Sequence, residues 1–128
     1  MERILKLLFI LKLLFAAALA APLAATAAFA HAFLDHGVPG VGMTVSGPVR
    51  EIRLYYTQGV VTAFSHVHVA SDAGAVIPTG KLVNDPSDQQ TVIVRLGRAL
   101  GPGGYSLSWQ VTSVDTHVTQ GTYHFTVS

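Results

Sequence analysis

Histidine is the residue whose placement in this chain most needs a chemical reason. The 128 residues contain six of them, at positions 31, 36, 66, 68, 117 and 124. His31 directly follows Ala28-Phe29-Ala30, with small residues at the two positions a signal peptidase reads. A cut at that point makes His31 the N-terminus. A terminal histidine offers two nitrogens from one residue, the free α-amine and the imidazole, which together close a chelate ring on a metal ion. The amine has a reference pKa near 8, about two units or more below that of lysine, so a metal can displace its proton at neutral pH.

A further imidazole and a carboxylate occur together in Ser113-Val114-Asp115-Thr116-His117. In an extended backbone, residues two apart point the same way, so Asp115 and His117 are expected to converge on one ion. Alone, Asp-x-His is a weak signal that reads as a solvated loop; its weight comes from the processed histidine. The chain has no cysteine, which removes thiolate sites and disulfides and leaves nitrogen and oxygen as metal ligands. Two nitrogens from His31, an imidazole and a carboxylate suit tetragonal Cu(II), and Zn(II) accepts them with less geometric preference. The candidate metal ligands are therefore His31, Asp115 and His117.

The segments that must carry these groups divide the chain in two. Residues 1–30 have the pattern of a cleaved signal peptide: Arg3, Lys6 and Lys12 at the start, an apolar region from Ile4 to Ala21, then the small-residue site. A retained transmembrane anchor is the rival reading of the same stretch. The leader takes three of the eight basic residues and one of the seven acidic ones, leaving a mature net charge of −1 with histidines neutral. A near-neutral surface without Lys/Arg clusters offers nothing to nucleic acid or anionic lipid. Residues 31–128 then form one domain with room for a single core.

Period-two alternation runs through that domain, the signature of half-buried strands. Tyr105, Leu107, Trp109 and Val111 share one face, against Ser106, Ser108, Gln110 and Thr112 on the other. The same pattern groups Ile52, Leu54 and Tyr56; Val92, Val94 and Leu96; and Tyr123, Phe125 and Val127. Turn signals at Pro39-Gly40, Gly47-Pro48, Ala73-Gly74, Asn84-Asp85-Pro86 and Gly101 to Gly104 separate the runs. The expected fold is all-β, an immunoglobulin-like Greek-key sandwich or barrel of about seven strands, with Trp109 in the core.

In this setting the sequence resembles the CopC-like periplasmic copper-binding and copper-resistance proteins. The resemblance covers essentially the whole mature chain. It rests on His31-Ala32, Leu34, Pro39, the run Ile52 to Thr57 and Phe64-Ser65. Most specific is the ordered ending Leu100, Gly104-Tyr105, Trp109, Val111, Ser113, Asp115-Thr116-His117, Gly121 and Phe125. It implies a periplasmic Cu(II) carrier or buffer in copper homeostasis and resistance, with the ion held by His31, Asp115 and His117. An inner-membrane copper transporter is the implied partner, and neither nucleic acid nor a small-molecule substrate is. Two departures matter: members with a fuller Cu(II) site have glutamate where this chain has Gln58, and members with a Cu(I) site use a methionine-rich loop where only Met43 remains after the leader. No Cu(I) thioether site is expected.

The remaining candidates have plainer readings. His66 and His68 lie on one face of a strand where two imidazoles could hold a second metal, although alternation with Val67 and Val69 favours solvated strand positions. His36 stays outside the predicted site, His124 should face away from Tyr123 and Phe125, and Asp85 with Asp88 belongs to a turn because no calcium ligand ladder follows. Two rival functions remain. A terminal histidine chelate also resembles the copper centre of lytic polysaccharide monooxygenases, but those domains are longer and a close carboxylate would occupy the position oxygen needs. A metal-free immunoglobulin-like interaction module would leave His31 at the cleavage point unexplained. No nucleophile, base and orienting set is apparent, so the chain is not expected to be an enzyme.

Overall fold

Strands with one apolar face are stable only when two such faces close on each other, and the computed structural model has that arrangement. It describes residues 31–128; the expected signal peptide, residues 1–30, lies outside the described residues. Nine strands follow in chain order: β1 (Leu34–Val38), β2 (Thr44–Val45), β3 (Val49–Tyr56), β4 (His66–Ser71), β5 (Val76–Ile77), β6 (Val83–Asp85), β7 (Asp88–Leu100), β8 (Gly103–Thr112) and β9 (Val118–Val127). A 3-10 turn, Thr62–Phe64, precedes β4. One sheet has the order β1-β3-β7-β6 and the other β2-β9-β8-β4-β5. The expected sandwich is present, with nine strands rather than about seven. Strands β2, β5 and β6 are two or three residues long and too short to show a period.

The alternation read in the sequence sets the inner faces. Leu107 and Val111 of β8, Ile52 and Leu54 of β3, Val92 and Val94 of β7, and Phe125 of β9 are fully buried. Trp109 is only half-buried; it packs on the core with its ring edge-on to buried Tyr56 at 5.5 Å. Strand β7 departs from simple alternation, because Thr91 and Ile93 are buried as well. Ile93 sits in register between Arg53 and Val83. Arg53, its cross-strand partner, is held by Glu51 and Asp85 at 2.8 Å each, and a fixed arginine stem is suited to covering an apolar neighbour.

Glycine is required where the chain reverses between β7 and β8, since Gly103 has φ +147°. That reversal starts the longest pairing of the fold: β8 and β9 run in register from Gly103↔Val127 to Thr112↔Val118. The opposite end of this hairpin is the loop 113–117, and His31 lies beside it.

Candidate metal centre

The segment from His31 to Phe33 is tied to both sheets before its first strand begins. Thr57, just past β3, uses its backbone and side chain together: its N–H donates to the Phe33 carbonyl at 2.9 Å, and its hydroxyl accepts from the Phe33 N–H at 3.0 Å. The same hydroxyl donates to the His31 carbonyl at 3.2 Å. From the other sheet, Thr119 Oγ1 of β9 donates to the carbonyl of fully buried Ala32. A segment held on two sides loses little further freedom when it binds an ion.

The β8–β9 loop supplies the other two groups. Its Ser113 N–H donates to the His117 carbonyl at 2.9 Å, and the Thr116 N–H donates to the Ser113 carbonyl at 2.9 Å. Thr116 has φ +75°, a left-handed conformation unfavourable for a β-branched residue. The expectation of an extended Asp115–His117 stretch is therefore corrected. A tight turn with a left-handed residue at its centre brings the two side chains to the same side, where strand alternation was expected to do so.

Buried Ser113 sets the state of Asp115. Its hydroxyl donates to Asp115 Oδ1, with the His117 carbonyl also in reach at 3.1 Å. The His117 N–H donates to the same oxygen at 3.3 Å. The Ser113 bond holds the Asp115 carboxyl below the ordinary carboxylate range; desolvation opposes this, and the His117 N–H and imidazole add to it. Asp115 Oδ2 lies 3.2 Å from His117 Nδ1 but without the alignment of a hydrogen bond, so it remains without a hydrogen-bond partner.

The predicted site residues come together. One ligand atom each from His31, Asp115 and His117 lie within 4.8 Å of one another. The two imidazoles stand edge to face, centroids 4.3 Å apart and planes at 71°. His31 Nδ1, like Asp115 Oδ2, is buried with no hydrogen-bond partner. A polar atom left in that condition costs about 1–3 kcal/mol, and a cation between them satisfies both. Two imidazole nitrogens and a carboxylate fit a borderline divalent ion of the copper and zinc type.

The other candidates fall elsewhere. His36 bonds Asp35 at 2.7 Å and stacks on Tyr55 at 4.2 Å. His124 faces outward, as expected, and meets Asp72 at 3.0 Å. His66 and His68 are exposed on β4. Asp85 bonds Ser87, and Asp88 bonds Gln90 and Thr91, within or beside the β6–β7 turn that was expected. Gln58 lies between Thr57, which anchors the His31–Phe33 segment, and Gly59, whose carbonyl accepts from the Val114 N–H at 3.0 Å. Residue types alone missed the supporting roles of Thr57, Ser113 and Thr119. The motif resemblance included Thr57 and Ser113 without assigning them a role, and Thr119 carries no local signal because its partner is 87 residues away.

Comparison with known proteins agrees with this architecture. Residues 34–128 match the model of the CopC domain. Protein YobA of Escherichia coli K12 is 36% identical over 99 residues, covering 77% of this chain and 80% of its own length. Copper resistance protein C of Xanthomonas campestris pv. juglandis is 34% identical over 113 residues, covering 84% and 88%. Among solved structures, CopC from Methylosinus trichosporium OB3b superposes with a TM-score of 0.70 at 24% identity, over 77% of this chain and 94% of that one. The methionine-rich copper resistance protein PcoC from Escherichia coli also reaches 0.70, at 23% identity, over 77% and 100%.

Proposed function

The chain belongs to the CopC domain family, and we propose that it is a periplasmic Cu(II)-binding protein that carries or buffers copper in copper homeostasis and resistance. Its family is one of copper-resistance proteins, not of enzymes. The observation that carries the reading is the convergence of His31, Asp115 and His117, with two of their atoms buried and unpartnered. Signal-peptide cleavage before His31 adds the α-amine as a fourth ligand from a residue already at the site. A set of three nitrogens and one carboxylate oxygen then favours Cu(II). The mature chain keeps only Met43, which gives Cu(I) no thioether cluster. A copper transporter of the inner membrane is a partner that a carrier of this kind would serve.

Capture proceeds by proton release. The amine and both imidazoles bind metal in their neutral forms, so affinity weakens as pH falls from neutral into the mildly acidic range. The Asp115 carboxyl, held ionised by Ser113, stays available through that range. N-terminal mass analysis of the exported protein, followed by Cu(II) titration with electron paramagnetic resonance, tests the proposal. A chain beginning at His31 should give a nitrogen-rich tetragonal signal, and one extra residue before His31 should abolish its tight form. Unchanged Cu(II) affinity in a His31→Ala/His117→Ala variant would refute the assignment.

A further inference from the structure

The outer face of the five-stranded sheet carries chemistry that the terminal site does not use. His66 and His68 both project there, exposed, while Val69 of the same strand is buried in the core. Register aligns His66 with Gln110 of β8 and Gln120 of β9, and His68 with Ser108 and Thr122. These six side chains line an open hollow of about 670 Å³. Three of the other histidines are engaged by carboxylates: His36 by Asp35, His117 by Asp115 and His124 by Asp72. Among the described residues, no hydrogen bond or ion pair engages the side chain of His66 or His68.

We propose that His66 and His68 form a second metal site on this face, taking one imidazole-preferring divalent ion, Cu(II) in first place. Residues two apart on a strand stand about 7 Å apart on one face, a span that two imidazoles close by leaning toward a shared ion. The cross-strand row at His66 brings the amide oxygens of Gln110 and Gln120 within one or two strand spacings, about 5–10 Å between backbones, as neutral oxygen donors. Among the described residues, no carboxylate lines the hollow. That absence disfavours calcium and magnesium, which need a shell of hard oxygens. It leaves imidazole softness to select the ion, and for such ligands affinity rises to a maximum at Cu(II). The site shares no residue with the terminal centre and needs no free amine, so it does not depend on cleavage at His31.

The test is calorimetric titration of the mature chain with Cu(II), paired with NMR of the histidine ring protons. Two equivalents are expected, the second weaker, with paramagnetic broadening of His66 and His68 during the second. A His66→Gln/His68→Gln variant should bind one equivalent with the tight phase unchanged. A His31→Ala/His117→Ala variant should keep the weaker phase, which separates failure of one site from failure of the other. A single equivalent in the parent protein, or a second equivalent that survives His66→Gln/His68→Gln, would overturn the proposal. Both substituted side chains are exposed, and an unchanged melting temperature verifies that the fold is intact.

Discussion

At the residue scale, the candidate centre depends on a side chain that touches no ion. Ser113 is buried, and its hydroxyl turns one oxygen of Asp115 into the loop while leaving the other free toward His31 and His117. Ser113→Ala removes that orientation and leaves the carboxylate less well satisfied. The expected outcome is a loss of about 1–3 kcal/mol in stability, measured by urea unfolding. Cu(II) affinity should fall about 10–100-fold, the usual cost of losing a partner that orients a ligand. The Asp115 carboxyl should rise toward the ordinary range, which NMR titration of the apo-protein would register.

At the element scale, the β8–β9 hairpin presents the loop, and the ends of β3 and β9 hold the His31–Phe33 segment against it. Thr119→Val cuts the tie from β9 to Ala32 and strands a carbonyl on a fully buried residue. Stability should fall by about 1–3 kcal/mol, and Cu(II) should bind more weakly while the spectrum of the bound ion is unchanged, since every ligand remains. The hairpin also needs Gly121: a Cβ there would meet Trp109 ring carbons at 2.6 and 2.9 Å. That ring is backed by Tyr56 and has little room to retreat. Gly121→Ala should therefore cost about 1–3 kcal/mol of overpacking, seen as a lower melting temperature and altered tryptophan fluorescence.

For the whole molecule, two pH windows should separate. Asp85 is held below the ordinary carboxylate range by its bonds to the Ser87 N–H and hydroxyl, then by Arg53; Asp115 is held low chiefly by Ser113. A carboxyl depressed in the folded state contributes stability above its unfolded pKa and loses it as pH falls through the folded value. Apo-protein stability should be level in this respect above about pH 4 and decline below it. Urea midpoints measured between pH 2 and pH 7 would show the decline, and Asp85→Asn should flatten it. On the proposed function, release of the metal belongs to the higher window, because protons compete with it for the ligand nitrogens before the carboxylates are reached. Stabilisation of the fold by the metal should fade there first, with the apo-protein still folded.

Sequence by itself determined the strand faces and the set of candidate ligands. Alternation placed Leu107, Val92, Leu54 and Phe125 inside because a two-residue period leaves each side chain only two faces to choose from. The position of His31 after a small-x-small tripeptide raised the terminal chelate because two nitrogens on one residue need no fold to lie close together. Tertiary structure decided what local pattern cannot carry. Burial of β7 on both faces follows from neighbours contributed by β3 and β6, and the strands β2, β5 and β6 exist only through their pairing partners. Convergence of Asp115 and His117 came from a left-handed Thr116 in a closed turn, a conformation that residue type argues against. The meeting of His31 with both of them rests on Thr57 and Thr119, residues 26 and 88 positions along the chain, because contacts over such separations are set by how the two sheets stack.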